Sequence, residues 1–304
     1  MTAARSLVVG GAGFLGSHLV DRLLAEGNVV DVVDDLSSGS LANLADARAS
    51  ADDGMLKIHH LDASGPELAE LVALRRPEVV FALAVLAPGD HPSARLVRSI
   101  AVAVSVLEAA RADCVDKVVV TLPAVALYGD VPTRDLPVKE GHAAAPVNVT
   151  GVLAHAVVEL LALARREDSV EFTALALASV YGSRQRPGSS VVAAFREALA
   201  DGVAPVLHGD GRQTRDFLFV DDAVDAVVRA GQRGSGLVVN VGTGKQTAIR
   251  DLWELMAGSA GSPPVLAARR AGDVSRFAVS PTRARIHLGW APWTPLAEGL
   301  RSLG

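Results

Sequence analysis

Residues 10–16 read Gly10-Gly11-Ala12-Gly13-Phe14-Leu15-Gly16, directly after the short β-branched run 6–9 and directly before a stretch with helical spacing. No other feature constrains the chain as tightly. At that junction Gly10 permits a tight turn, Gly13 lets a backbone approach a phosphate, and Gly16 lets helix and strand pack closely. The following segment, 14–26, places Leu15, Leu19, Leu23 and Leu24 on one helical face. Its first amides and its dipole then favour an anion at the turn.

The strand–turn–helix unit recurs. Apolar runs at 29–33, 56–61, 79–84, 117–122 and 171–179 alternate with helical patterns, the longest at 93–111 and 148–166. Strands separated by helices imply β-α-β units, and runs apolar on both faces imply parallel strands covered on both sides. The fold class is α/β: a Rossmann-type, doubly wound parallel sheet. After about Pro187 the elements shorten (191–201, 206–208, 218–219), before a strand at 237–241 and a helix at 249–256. Residues 263–293 read as proline-rich loop. We therefore expect a dinucleotide-binding domain over 1–186, its sheet completed by about 215–245, and a small C-terminal substrate-binding lobe made mainly from 187–304.

Composition narrows the partners. A net charge of −5 gives no basic field for nucleic acid. The single cysteine, Cys114, excludes an intrachain disulfide, and the longest apolar run, 79–87, is too short to span a bilayer. The expectation is a cytoplasmic protein without nucleic-acid or membrane partners. No His/Cys/Asp cluster has metal-ligand spacing.

Asp34 follows the second strand. A carboxylate there accepts hydrogen bonds from the adenosine ribose hydroxyls and repels a 2′-phosphate, so NAD is expected over NADP. Asp62, ending the third strand, is placed to meet the adenine edge. Asp35, Ser38, Gly39, Ala63 and Leu83 complete the expected cofactor set with Gly10, Gly13, Phe14, Leu15 and Gly16.

The segments GGAGFLGSHLVDRLL, VVDDLSSG, VLEAAR, LYGD, SVYGSRQRPGS, GDGRQTRDFLFVDDAVDAV, NVGTGK, RRAGD and LGWAPWTPLAEGL together resemble the extended short-chain dehydrogenases/reductases of the nucleotide-sugar epimerase and dehydratase group. The resemblance implies NAD, a nucleotide diphosphate sugar in the C-terminal lobe, and a homodimer through helices 93–111 and 148–166. It places Arg215 and Arg270 on the diphosphate and Ser179 at a sugar-side position, with Arg184 and Arg186 in the loop leading into the lobe as further substrate-binding candidates. Arginine forks suit such planar oxygen arrays. Asp221 and Asp222 are expected to cap the helix that follows them.

The catalytic pattern departs from that group. Its tyrosine and the lysine four residues on fall here on Gly151 and His155, in VNVTGVLAHAVVE, and its Ser/Thr hydroxyl falls on Ala124. The chain's two tyrosines, Tyr128 and Tyr181, are followed four residues later by Pro132 and Gln185, so no Tyr-x-x-x-Lys exists. His155, in the lysine position beside the ribose, is expected both to bind the cofactor and to act as the acid/base, since histidine titrates near neutral pH. Tyr128 is expected against cofactor or sugar and is a second candidate acid. Thr150 offers a weak hydroxyl, and His142 is expected on the surface. Three readings stand open: a nucleotide-sugar epimerase or dehydratase-like enzyme with a relocated acid/base, a catalytically silent homologue that binds NAD and nucleotide sugar, and a non-redox enzyme with structural NAD.

Overall fold

The computed structural model describes residues 4–86, 93–112, 115–143, 145–258, 262–270 and 272–303; Cys114 lies outside them. The Rossmann part comprises β1 (Arg5–Val9), α1 (Phe14–Ala25), β2 (Val29–Asp34), α2 (Ala45–Ser50), β3 (Leu56–His60), α3 (Glu67–Arg75), β4 (Val79–Ala82), α4 (Ser93–Ala112), β5 (Lys117–Pro123), α5 (Ala124–Tyr128), α6 (Val149–Asp168) and β6 (Phe172–Leu177). The remainder comprises β7 (Ser179–Tyr181), α7 (Val191–Ala200), β8 (Val206–His208), β9 (Thr214–Arg215), β10 (Phe217–Phe219), α8 (Val220–Gln232), β11 (Leu237–Val241), β12 (Thr247–Ala248), α9 (Ile249–Ala257), β13 (Val265–Ala267), α10 (Thr282–His287) and α11 (Leu296–Arg301).

Seven parallel strands form the central sheet in the order β11-β6-β5-β4-β1-β2-β3. The order reverses between β1 and β4, and the crevice at that switch point is where such sheets bind ligands. α1 packs with α8, while α3, α4 and α6 pack together as a second layer. Strand residues such as Leu7, Val32, Val118 and Leu175 are fully buried, as strands covered on both faces must be. Beyond residue 187 only β11 returns to this sheet, beside β6. A separate core of Tyr181, Phe195, Leu207, Phe217, Leu252 and Trp253 holds the small lobe, with the Phe195 and Trp253 rings 5.2 Å apart.

The apolar run 171–179 is not one strand. Ala178 N donates to Val241 O in the main sheet, whereas Ser179 N donates to Asp216 O, so the chain changes partners there and β7 pairs with β10. Residues 124–128, apolar and continuous with β5, turn into α5. The stretch 263–293 holds β13, paired with β8, and α10.

Asn148 caps α6, accepting from Gly151 N at 2.9 Å. Asp221 and Asp222 do not cap α8, which already begins at Val220. Asp222 is fully buried and instead accepts from Trp293 N and Thr294 N, each at 3.0 Å, and from Thr294 Oγ1 at 2.7 Å. It anchors the C-terminal segment to α8. No helix among the described residues is long and apolar enough to cross a membrane.

Candidate functional site

The turn between β1 and α1 has the form its glycines require. Gly10 takes φ +85°, where an L side chain is strained, and a Cβ there would meet Ala84 Cβ at 3.0 Å. A Cβ on Gly16 would overlap the Gly10 carbonyl, so the helix can approach the strand only with hydrogen at that position. A Cβ on Gly13, the N-cap, would meet only Gly10 O, at 3.2 Å. α1 has no side-chain cap and no acidic residue in its first turn. Its first amides, around the half-buried Phe14 and Leu15, are therefore left for a ligand anion. Segment 83–84 borders the turn: Leu83 N donates to Val9 O at 3.0 Å.

Asp34 ends β2, buried beside that turn. Its Oδ2 accepts from Ala12 N and its Oδ1 from Leu36 N, both at 2.9 Å. Burial pushes its carboxyl above the ordinary aspartate value, although the Leu36 and Ala12 amides pull it back. Two of about four acceptor positions are thus used, leaving capacity for hydroxyl donors. The loop 36–40 folds onto Ala12, whose carbonyl accepts from Ser40 N at 3.0 Å. A Cβ on Gly39 would stand 2.9 Å from Asp34 Oδ1, and Ser38 is exposed. The hydrogen-bonding complement fits a dinucleotide: free helix amides for a pyrophosphate and a seated carboxylate for ribose hydroxyls.

Asp35 and Asp62 stand at the adjoining ends of β2 and β3, and Ala63 is buried behind them. Arg98 of α4, which no sequence motif signalled, bridges the two carboxylates. Burial opposes ionisation of both acids, but the bonds from Ser37 and Arg98 to Asp35, and from Ser64 and Arg98 to Asp62, outweigh it and hold both below the usual carboxylate range.

The positions where the resembled pattern carries its hydroxyl and its tyrosine are buried, and at the second backbone fills the space. Ala124, where a hydroxyl was sought, is fully buried. A Cβ on Gly151 would lie 2.6 Å from Ala126 O and 2.9 Å from Pro146 Cβ. His155, one turn on and half-buried, places Nε2 2.6 Å from Leu127 O. A carbonyl only accepts, so Nε2 carries the hydrogen of this bond, which selects the tautomer that leaves a lone pair on Nδ1. Thr150 is buried beside Gly151, and His142, expected on the surface, is half-buried.

Tyr128 departs from its expected place against cofactor or sugar. It is buried, its hydroxyl donates to Asn240 Oδ1 at 2.7 Å, and Asn240 Nδ2 donates in turn to Val138 O at 3.0 Å. Burial and the nearby Glu140 push the phenol far above its ordinary value, so its proton is held.

The lobe brings Arg215 and Arg270 together with three residues the sequence had not marked. Arg215 donates to Thr214 O and Val274 O, both at 2.8 Å, and forms an ion pair with Asp273. Arg269 donates to Asp273 O at 2.6 Å, and Arg270 Nη2 meets His208 Nε2 at 3.1 Å. Ser179 adjoins this group through its amide, bonded to Asp216 O at 2.8 Å. The buried Asp216 carboxylate accepts from Thr243 N at 2.9 Å and Gly244 N at 3.0 Å, fastening the loop after β11 beneath Arg215. Arg184 is not in the group. Its guanidinium pairs with Asp21 of α1 at 2.6 Å and Asp46 of α2 at 3.2 Å, so it ties the loop after β7 to the Rossmann helices. Arg186 is exposed.

A cavity of about 570 Å³ opens between β3 and the 41–54 segment, lined by Leu36, Leu41, Arg48, Leu56 and Ile58. It shares Asp34 and Leu36 with the residues above, whereas neither the glycine turn nor Arg98 lines it.

The sequence matches the NAD dependent epimerase/dehydratase family over residues 6–242. A UDP-glucose 4-epimerase of Mycolicibacterium smegmatis is 41% identical over 309 aligned residues, covering 97% of this chain and 96% of that one. The UDP-glucose 4-epimerase of Thermotoga maritima, solved with UDP-glucose, superposes with a TM-score of 0.90 at 33% identity over 98% of this chain and 96% of that one. The Thermus thermophilus UDP-glucose 4-epimerase, solved with NAD, gives a TM-score of 0.87 at 30% identity over the same shares. In keeping with its glycine turn, seated Asp34 and seven-stranded order, this chain belongs to the NAD-dependent epimerase/dehydratase family of extended short-chain dehydrogenases/reductases.

Proposed function

We propose that this chain binds a nucleotide diphosphate sugar beside NAD and acts on the sugar as an epimerase- or dehydratase-type enzyme in which His155 moves the proton. When bound, NAD would supply the acceptor for hydrogen leaving a sugar carbinol carbon. His155 would take the hydroxyl proton at Nδ1, with Leu127 O holding the ring through Nε2. Tyr128 holds Asn240 and takes no part. Arg215 and Arg270 would grip the diphosphate, with Asp273 and His208 fixing their forks. Arg215 is paired with Asp273 and Arg270 with His208, so neither arginine must be ordered anew when the substrate arrives.

The observation that carries this reading is the 2.6 Å bond from His155 to Leu127 O, which fixes one tautomer of a half-buried histidine at the lysine position of the resembled pattern. The silent-homologue reading rests on a different observation, the absence of room and hydroxyls at Gly151 and Ala124. Incubating the protein and NAD with a panel of UDP- and dTDP-sugars, and resolving the sugars by chromatography, separates the two. Conversion of any sugar that is lost in His155→Gln supports the enzyme. Tight binding of a nucleotide sugar without conversion supports the silent homologue.

We also propose a homodimer through α4 and α6. Both helices follow parallel strands, so their N-terminal ends lie together, and there Val97 (70%), Val149 (60%) and Val152 (55%) are exposed. Light scattering on the same preparation reads the assembly, and a monomer at micromolar concentration overturns this part.

A further inference from the structure

Arg98 crosses from α4 to both strand ends on the adenosine side of the cleft. Its Nη2 stands 2.5 Å from Asp35 Oδ2 and 2.8 Å from Asp62 Oδ2, and its Nε donates to Asp62 Oδ1 at 3.1 Å. Each acid is also fixed by its own loop. Asp35 Oδ1 accepts from Ser37 N at 3.0 Å and Ser37 Oγ at 2.8 Å. Asp62 Oδ1 accepts from Ser64 N at 2.9 Å and Ser64 Oγ at 2.7 Å. β2 and β3 are neighbours in register from Val30–Leu56 to Asp34–His60, so one guanidinium closes the gap between their carboxyl ends.

This arrangement answers an electrostatic problem. Asp34, Asp35 and Asp62 put three carboxylates at the end of a cleft whose other feature is a helix N-terminus suited to a pyrophosphate. Like charges within a Debye length, about 8 Å at physiological salt, repel one another. A planar fork can hold two carboxylates at once, and a lysine ammonium offers only a point charge.

We propose that Arg98 is a positioning residue for the adenosine half of NAD: it fixes Asp35 and Asp62 relative to each other and cancels charge that would repel the cofactor's phosphates. The proposal rests on the placement of NAD over the 10–16 turn.

The test is calorimetric titration of NAD and AMP into wild type, Arg98→Ala and Arg98→Lys at low and high salt, with melting temperatures recorded alongside. Arg98→Ala should weaken both ligands by about tenfold at low salt, the size of one partly exposed charge-assisted contact. That loss should shrink as salt rises, because screening replaces the missing cation. Arg98→Lys should recover the salt-dependent part and leave a smaller, salt-independent deficit. A role confined to packing would lower the melting temperature and give a loss that neither salt nor lysine repairs; that result overturns the proposal. So do equal affinities for wild type and Arg98→Ala, which leave the cofactor site standing. A wild type that binds neither NAD nor AMP removes the cofactor placement and this proposal with it.

Discussion

The two ends of the cleft are built on opposite terms. At the adenosine end, polar groups face outward with capacity to spare: α1 has uncapped amides, and Asp34 has used only two of its acceptor positions. At the proposed reacting end, the described residues offer fewer free polar groups. Ala124 offers no hydroxyl, Gly151 is shut against the Ala126 carbonyl, and the Tyr128 hydroxyl is committed as a hydrogen-bond donor to Asn240. A site for holding a ligand needs unsatisfied groups where the ligand lies, and a site for proton transfer needs at least one titratable atom there. The first end meets its condition many times over. In the proposed reading the second meets it, among the described residues, through His155 Nδ1.

The strongest way to break this contrast is therefore at His155. A positioned general acid or base contributes about 10²–10⁴-fold in rate. His155→Ala should cost that much in turnover while NAD affinity, measured by calorimetry, stays close to wild type. Alanine also removes the bond to Leu127 O, so His155→Gln is the sharper variant: it can keep that bond but cannot titrate. Full activity in His155→Gln would leave the histidine as an anchor between α6 and α5 and would empty the reacting end of its last proton carrier.

A smaller effect is expected at the other end. Asp34→Ala should weaken NAD by roughly 1.5–3 kcal/mol, the worth of a hydrogen bond to a charged group. Wild type should bind NADP more weakly than NAD; equal or tighter NADP binding would sink the role given to Asp34. The affinity should also depend on pH in a set direction. Burial raises the Asp34 carboxyl, so it takes up a proton at a higher pH than the ordinary aspartate value of about 3.9, and NAD affinity should fall on acidification before that value is reached. Asp34→Asn should flatten the decline.

The same contrast explains what the sequence could and could not reveal. The β1–α1 turn was legible because each glycine answers a local steric demand, and the alternation of apolar runs and helical patterns is a local signal too. The break at Ala178 was invisible because β6 and β7 are both apolar; what divides them is a change of partner from Val241 to Asp216. α5 was hidden in the same way, as an apolar continuation of β5. Arg184 resembled a diphosphate ligand by its neighbours in sequence, yet its partners are Asp21 and Asp46, far away in the chain. Arg98 and Asp273 also matter through pairings with residues remote in the chain. Residues whose role is set by the adjacent backbone could be read early; residues whose role is a long-range ion pair could not.

The smallest expected effect is also the one whose sign is least obvious. Gly151 sits in the first turn of α6, where glycine costs a helix up to about 1 kcal/mol relative to alanine, so Gly151→Ala should stabilise on propensity alone. Against that stands the contact a Cβ would make, 2.6 Å from Ala126 O and 2.9 Å from Pro146 Cβ. Neither neighbour is the free end of a flexible side chain. One is a carbonyl within α5, and the other is a ring beside the Asn148 cap, so relief requires moving one helix against the other. Overpacking of that kind typically costs about 1–3 kcal/mol. The steric term should win, and urea denaturation of Gly151→Ala should show a net loss of about 1 kcal/mol with NAD affinity unchanged. Gly151→Tyr should be worse tolerated still and should not restore tyrosine-based chemistry, because the ring would have to displace α5 before reaching the cleft. A Gly151→Ala protein more stable than wild type would mean that α6 yields easily from α5, and that the reacting end is closed by choice of side chain rather than by the backbone.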